Sequence, residues 1–236
     1  MVETVQSKKW DATIEFISQD SPRGIAHAVK ISKDFLDDEP FVVYLGDNIL
    51  REGITEHVRS FLRGGVDASI LLSKVKNPQQ FGVAKLDHEG KVIRLVEKSR
   101  QPPSNLALAG IYLFEPVIFE GISSIKPSER GELEITDSIQ WLIDNGYTVK
   151  ASIVSGWWKD TGKAEDILEA NTLILDDIQT DIRGRVENGT IYWKGGHGRG
   201  HGAHGGLERE MSHNHRQRVQ DIQCLHRTIH QHRRWM

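Results

Sequence analysis

The chain has 236 residues, of which 38% are hydrophobic and 27% charged, and its formal net charge is −3 at pH 7. This composition is typical of a soluble globular protein and excludes collagen-like, coiled-coil and wholly disordered chains. No apolar run approaches the roughly 18 residues of a membrane helix, and the charged start does not have the pattern of a signal peptide. The single cysteine, Cys224, can form no internal disulfide. We therefore expect a cytoplasmic protein without a membrane partner.

Charge is distributed unevenly along the chain. Residues 1–194 contain 23 Lys and Arg against 30 Asp and Glu, whereas residues 195–236 contain seven Arg, no Lys and three acids. The second segment also holds eight of the eleven His residues. The acidic first segment argues against nucleic acid as a partner, because duplex binding depends on clustered Lys and Arg. Phosphorylated small molecules are compatible with this pattern.

The apolar pattern predicts strands that alternate with helices. It predicts a strand over residues 12–19, a helix over 24–35 and a short buried parallel strand over 40–45. Further along the chain it predicts, in order, a helix (54–63), a strand (67–75), a hairpin (83–86 with 92–97), a strand (107–114), a helix (136–145), a strand (148–154) and a helix (163–175). This alternation favours an α/β fold with an open, mostly parallel sheet.

Two aspartates follow segments that end near a sheet edge. Asp47 comes directly after the 40–45 run, and Asp160 comes after Trp157 and Trp158 and before a predicted helix. Ligands of open α/β sheets lie beyond the carboxyl ends of the strands, and two carboxylates with substrate phosphates suit Mg²⁺. An ordinary turn at Asp47 and a helix cap at Asp160 explain the same residues without a metal.

Two basic residues stand close to acids. Lys98 follows Glu97 at the end of a predicted strand, where the cation can neutralise a phosphate and the carboxylate can accept sugar hydroxyls. A surface ion pair is the alternative. Arg130 precedes three acids before a predicted helix, and these acids can simply complement the positive end of the helix dipole.

A further turn lies between the first predicted strand and the first predicted helix. Gly24 there would let a flat ligand approach the backbone, and the Gln19 amide could pair with the edge of a nucleotide base. A turn that starts a helix explains the same residues without any ligand. His27 reads as a helix residue rather than as a general base.

Six segments occur together in one order: QDSPRGIAHAV, FVVYLGDN, QQFGVAKLD, VEKSRQPPSNLALAGIYLF, RGELEITD and GWWKDTG. This set resembles the sugar-1-phosphate nucleotidyltransferase family, most closely its thymidylyl-transferring members that use glucose 1-phosphate. The resemblance implies a Rossmann-like α/β fold, an open mixed sheet with helices on both faces.

The resemblance also implies a role for particular residues. Asp47 and Asp160 match the two carboxylates that bind Mg²⁺, and Lys98 and Arg130 match the groups that hold the sugar phosphate. The remaining matches bind either the nucleotide base (Gln19, Gly24, Ile25) or the sugar (Gly82, Glu97, Leu108, Gly110, Tyr112).

The implied reaction transfers a nucleotidyl group from dTTP to glucose 1-phosphate and gives dTDP-glucose and pyrophosphate. A UTP-dependent uridylyltransferase is an alternative, because thymine and uracil differ by one methyl group. A non-catalytic fragment that binds sugar nucleotides or associates with other subunits is another. The resemblance further implies that the intact family member can form a homo-oligomer.

The family's N-terminal glycine-rich loop, of the form GGxGTRLxPxT, has no match in this chain. We therefore expect an N-terminally truncated chain that is weakly active or inactive and poorly stable, because that loop supplies the donors for the triphosphate.

We expect three segments along the chain. Residues 1–177 form a partial nucleotidyltransferase domain, residues 178–194 resemble the start of a hexapeptide-repeat β-helix, and residues 195–236 form an irregular tail. For the tail we favour translation of a shifted reading frame over a disordered low-complexity extension and over a metal site built from its His residues and Cys224.

Overall fold

The computed structural model describes residues 2–7, 10–178, 181–183 and 197–199. The chain divides into two compact units, Met1–Trp158 and Lys159–Met236. The α-helices are α1 (Val2–Gln6), α2 (Ile25–Ile31), α3 (Lys33–Leu36), α4 (Thr55–Leu62), α5 (Ile118–Ser124), α6 (Ile135–Asp144) and α7 (Ala164–Asp177). The strands are β1 (Phe41–Tyr44), β2 (Asn48–Leu50), β3 (Ala68–Lys74), β4 (Val83–Leu86), β5 (Val92–Val96), β6 (Leu106–Phe114), β7 (Val149–Ile153), β8 (Trp158–Asp160), β9 (Asp181–Arg183) and β10 (His197–Arg199).

The first unit is built on a six-stranded mixed sheet. Its strand order is β5-β4-β6-β3-β7, and β1 pairs with β6 beside this path. Strand β6 is antiparallel to β1, β3 and β4, whereas β3 and β7 are parallel. The predicted mixed sheet is confirmed, but the expectation of a mostly parallel one is wrong. Parallel neighbours need a long crossover, and the connections from β3 through β6 contain no α-helix.

Helices cover both faces of this sheet, as predicted. Buried residues of α2, α5 and α6 pack on the face that carries Leu108, Tyr112 and Phe114 of β6. Phe61 of α4 packs on the opposite face, against Ile111 and the other β6 residues that alternate with these three. Strand β6 is buried along almost its whole length because side chains of alternate residues enter two different cores.

Strand β1 is less buried than its apolar sequence predicts. Phe41 is buried, but Val42 and Tyr44 are 38% and 43% exposed, and the strand pairs antiparallel with β6. The prediction of a buried parallel strand over residues 40–45 is therefore wrong in both respects. Among the described residues β1 hydrogen-bonds with β6 alone, so one edge of this strand stays open.

The predicted strand over residues 12–19 is also wrong. These residues belong to no helix or strand, and Ile14, Phe16 and Ile17 are exposed. Alternating apolar residues predict a strand only where a neighbouring strand supplies hydrogen bonds and a packing surface. The predicted helix over 24–35 forms, but as α2 and α3, which meet at Ser32.

The second unit contains α7, as predicted, and a parallel pairing of β9 with β10. The rest of the predicted β-helix start and the rest of the 195–236 tail lie outside the described residues, and the predicted segment boundaries stay predictions. No helix in the described part of the chain is long and apolar enough to cross a membrane.

Candidate functional site

A groove of about 820 Å³ runs along β5 and α6. Its lining includes Glu97, Lys98, Arg130, Glu134 and Asp137. The structure thus brings together both basic residues that the family resemblance assigned to a sugar phosphate, and each approaches Oε1 of the predicted sugar-binding carboxylate, Glu97. Strand β5 and the two residues after it supply one wall, and α6 with the turn before it supplies the other.

Glu97 lies at the inner wall of this groove. Its Oε2 accepts a hydrogen bond of 3.2 Å from the Thr136 hydroxyl. A Cβ at Gly82 would stand 2.7 Å from the same oxygen, so glycine leaves room for the carboxylate. Burial raises the pKa of Glu97, and the negative charge of Glu134 raises it further, against the opposing effects of Lys98, Thr136 and Arg130.

Arg130 lies among three carboxylates. Its Nη2 is 2.8 Å from Glu132 Oε2, and its Nη1 is 3.6 Å from Glu97 Oε1 and 3.7 Å from Glu134 Oε1. The hydrogen bond to Glu132 and the charges of the other two acids raise the pKa of Arg130, although partial burial opposes this. The guanidinium is therefore a fixed cation with its planar face and donors at the groove.

Lys98 has an unusual backbone. Its φ is 39°, in the left-handed region that residues with a Cβ rarely adopt, and its N–H donates to the Phe81 carbonyl at 3.1 Å. Such a conformation costs about 1–3 kcal/mol and is concentrated at functional sites. The Lys98 Nζ lies 4.0 Å from Glu97 Oε1 on the exposed side of the groove, where it can meet an anion.

Tyr112 connects the groove region with Asp47. The Tyr112 side chain is buried, and its pKa is raised by burial first and then by the charges of Glu97 and Asp47. Both carboxylates are therefore within electrostatic reach of one phenol. Leu108, in the same strand, is buried, and its N–H donates to the Gly82 carbonyl at 2.9 Å.

Asn48 is a buried residue that the sequence did not assign to the site. Its Nδ2 donates to Asp47 Oδ1 at 2.7 Å, and its Oδ1 accepts from the Trp158 indole at 2.7 Å. Gly110, with φ of 65°, makes room for it, since a Cβ there would stand 2.7 Å from the Asn48 Nδ2. In the sequence, the sign of this role was that a second polar residue follows directly after Asp47. Asn48 fixes one oxygen of that carboxylate.

The two aspartates predicted to hold Mg²⁺ are carboxylates on short loops or strand ends. Asp47 accepts one bond from Asn48, and Asp160 Oδ1 accepts the Gly162 N–H at 2.8 Å. Carboxylate oxygens are hard donors, so the donor chemistry fits a hard cation such as Mg²⁺. Asp160 belongs to the second unit, and joint binding of one metal stays a prediction. In the described part of the chain no three His, Cys, Asp or Glu side chains form a metal-binding group.

The residues predicted to bind the nucleotide base lie in the loop before α2 (Gln19 and Gly24) and at its first position (Ile25). Gln19 Nε2 is 2.8 Å from His27 Nδ1 and donates to the Gly24 carbonyl at 3.3 Å. Gly24 has φ of 93°, and a Cβ there would stand 2.5 Å from the Leu133 carbonyl oxygen. Close packing therefore requires this glycine whether or not a base binds. Ile25 packs against the core, and a base-binding role for the three residues stays a prediction.

The raised pKa of Glu97 predicts a pH-dependent stability. The pKa of Glu97 is higher in the folded chain than in the unfolded chain. The contribution of this carboxyl to the free energy of unfolding is therefore complete below the unfolded pKa, and it is lost as the pH rises through the folded pKa. We expect this contribution to the free energy of unfolding to fall as the pH rises from about 4 toward neutrality. Glu97→Gln should flatten this fall, as measured by urea unfolding at several pH values.

Glu129, an exposed acid of the same groove, offers a matched control. Glu129→Gln should leave the pH dependence close to that of the unsubstituted chain. An unchanged slope in Glu97→Gln would contradict the link between this buried carboxyl and stability.

An open mixed sheet with a groove that is lined by two basic side chains, here Lys98 and Arg130, suits the binding of a phosphorylated ligand. Sequence comparison identifies the class more closely: the chain belongs to the nucleotidyl transferase family, whose model matches residues 2–177.

Individual relatives agree with this family. The chain is 53% identical over 175 residues to the low-salt glycan biosynthesis nucleotidyltransferase Agl11 of Haloferax volcanii, covering 74% of this chain and 49% of that protein. It is 48% identical over 184 residues to a glucose-1-phosphate thymidylyltransferase of Streptomyces antibioticus, covering 78% and 52%. The chain thus spans about half the length of these curated relatives.

A solved structure supports the fold. The UDP-glucose pyrophosphorylase complexed with UDP-glucose is similar with a TM-score of 0.60 and 26% identity, over 68% of this chain and 65% of that chain. The Rossmann-like mixed fold predicted from the sequence is confirmed by this likeness together with the sheet described above.

Proposed function

We propose that the chain takes part in nucleotidyl transfer from dTTP to glucose 1-phosphate, with release of pyrophosphate and formation of dTDP-glucose. The observation that carries this proposal is the groove in which Lys98 and Arg130 both approach Oε1 of Glu97. Two cations suit the phosphate of a sugar phosphate, and a half-buried carboxylate beside them suits its hydroxyl groups. Membership of the nucleotidyl transferase family supports the reaction type.

The transfer itself demands orientation and charge neutralisation more than covalent chemistry. A phosphate oxygen of glucose 1-phosphate attacks the α-phosphorus of dTTP, and the bond from that phosphorus to the β-phosphate oxygen breaks as pyrophosphate leaves. Lys98 and Arg130 would hold the attacking phosphate in line. Asp47 and Asp160 would hold Mg²⁺, which when bound neutralises charge on the transferring phosphate. Gln19, Gly24 and Ile25 would contact the base.

One similarity favours dTTP as the nucleotide, and another keeps UTP as the second candidate. The similarity to a Streptomyces antibioticus glucose-1-phosphate thymidylyltransferase supports dTTP, whereas the similarity to a UDP-glucose pyrophosphorylase supports UTP. Discrimination of a single methyl group in an apolar pocket is worth roughly tenfold to two-hundredfold. We expect dTTP to be preferred by roughly tenfold, at the lower end of that range.

Pyrophosphate release from the purified chain tests the proposal. We expect weak release, since the glycine-rich loop of the family has no match in this chain. This release should require glucose 1-phosphate, be faster with dTTP than with UTP, and be lost in Asp47→Asn, which keeps the shape of the side chain but removes its charge. Binding of dTDP-glucose should be measured on the same preparation. Product binding without any release of pyrophosphate would contradict transfer and favour the non-catalytic alternative, and preference for UTP would reverse the assignment of the base.

A further inference from the structure

Glu134 is a buried acid at the start of α6. Its side chain is 8% exposed, and it occupies the N-cap position of this helix. The preferred N-cap residues, Ser, Thr, Asp and Asn, accept a hydrogen bond from the first turn, whereas the Glu134 side chain forms no such bond. Its carboxylate therefore does not cap the helix.

The charge of Glu134 acts on neighbouring acids. It raises the pKa of two carboxyl groups, Glu97 and Asp137, after the larger effect of burial on each. A buried charge among like charges costs stability unless a cation and hydrogen bonds compensate it. The contacts that compensate the Glu134 charge therefore show what this residue is coupled to.

The compensating contacts of Glu134 all lead to Arg130. Glu134 Oε1 lies 3.7 Å from Arg130 Nη1 and accepts a hydrogen bond of 2.8 Å from the Ser128 hydroxyl. The Ser128 oxygen in turn accepts the backbone N–H of Arg130 at 3.2 Å. Glu134 is thus connected to Arg130 twice, through the guanidinium and, by way of Ser128, through the backbone.

The turn that carries Arg130 is closed by short backbone bonds. Gly131 N–H donates to the Ser128 carbonyl at 2.8 Å, and Ser128 N–H donates to the Glu132 carbonyl at 2.8 Å. Gly131 has φ of 75°, which suits glycine. A rigid turn fixes the Arg130 Cα, but the long side chain still needs an anchor to aim its guanidinium. Glu132 lies 2.8 Å from its Nη2, whereas Glu97 and the more deeply buried Glu134 lie 3.6 Å and 3.7 Å from its Nη1.

We infer that Glu134 is a positioning residue, which together with Ser128 aims the Arg130 guanidinium at the phosphate of a sugar 1-phosphate bound in the groove. This inference rests on the proposed function, because it assigns Arg130 to that phosphate. In this proposal Glu134, whose side chain is 8% exposed, acts through Arg130 and not by direct contact with the ligand. Without a positioning role, the Glu134 carboxylate would only repel a phosphate dianion, and removing its charge would tighten binding. If Glu134 positions Arg130, removing the charge weakens binding instead.

Titration calorimetry with glucose 1-phosphate tests this inference on the full chain. Glu134→Gln keeps the shape and an oxygen for Ser128 but removes the charge, and we expect it to weaken binding about fivefold. In an Arg130→Ala background the same substitution should cause no further loss of affinity, because Glu134 acts through Arg130. Glu134→Asp should recover part of the affinity. Glu56→Gln, which removes an exposed carboxylate partner of Arg59 outside the groove lining, should bind as the unsubstituted chain does.

The outcomes separate this inference from the proposed function. Unchanged or tighter binding by Glu134→Gln, beside a clear loss in Arg130→Ala, would overturn the positioning role alone. An equal loss from Glu134→Gln in both backgrounds would also overturn it, since the effect would then be general. Absence of binding by the unsubstituted chain would overturn the proposed function and the inference with it. If Glu134→Gln does not fold, Ser128→Ala, which removes the hydroxyl connection, carries the same test.

Discussion

Arg130→Ala is expected to weaken the binding of glucose 1-phosphate about 100-fold. A charge-assisted hydrogen bond is worth about 1.5–3 kcal/mol, and loss of one such contact near the upper end of this range corresponds to this factor. The substitution also leaves the Glu97 and Glu134 carboxylates without their shared cation, which adds repulsion toward the phosphate. Calorimetric titration of each purified variant measures the dissociation constant.

Two further variants separate loss of the specific contact from loss of positive charge. Arg130→Lys keeps the charge but not the planar fork of donors, so we expect an intermediate loss of roughly tenfold. Arg94→Ala removes an exposed cation from the same groove and should change the affinity little. Similar losses for Arg94→Ala and Arg130→Ala would contradict a specific phosphate site, and thermal melts of all three variants identify any loss of folding.

Gly24→Ala is expected to lower the free energy of unfolding by about 3 kcal/mol. The residue has φ of 93°, and an added Cβ would stand 2.5 Å from the Leu133 carbonyl oxygen and 3.0 Å from its nitrogen. Positive-φ strain and overpacking each cost about 1–3 kcal/mol. The clash also lies beside the hydrogen bonds of 2.7 Å and 3.2 Å that join Arg23 and Ala26 to Leu133. Urea unfolding followed by circular dichroism measures the loss.

Gly146→Ala is the matched control for this prediction. Gly146 has φ of 84°, but nothing lies within 4 Å of the position that a Cβ would take, so only the backbone strain is tested. We expect a loss of about 1 kcal/mol there. Equal losses in the two variants would show that close packing against Leu133 is not the reason for glycine at position 24.

Much of the fold could be predicted because local patterns and tertiary packing agree. The hairpin of β4 and β5 and the helices α4, α6 and α7 appear where apolar spacing and turn residues place them. Predictions failed where the pattern depends on a distant neighbour. Residues 12–19 alternate like a strand but have no pairing partner, and β1 is apolar but half exposed. The short helix α5 was not predicted, since seven residues give too few turns for a clear period.

The groove was predicted only in part. Family motifs identified Glu97, Lys98 and Arg130, and the structure brings these three together. Neither the role of Asn48, which binds Asp47 and Trp158, nor the connection of Glu134 to Arg130 through Ser128 followed from spacing. Such contacts depend on the relative placement of a strand end, a turn and a helix start. Sequence patterns predict these elements separately but not the distances between their side chains.

Binding of glucose 1-phosphate to the purified chain tests the central claim most directly, with glucose 6-phosphate and inorganic phosphate as competitors. The account predicts saturable binding that is tighter for glucose 1-phosphate than for either competitor and is strongly weakened by Arg130→Ala or Lys98→Ala. Absence of binding, or equal affinity for all three ligands that neither substitution changes, would contradict the assignment of this groove to a sugar 1-phosphate.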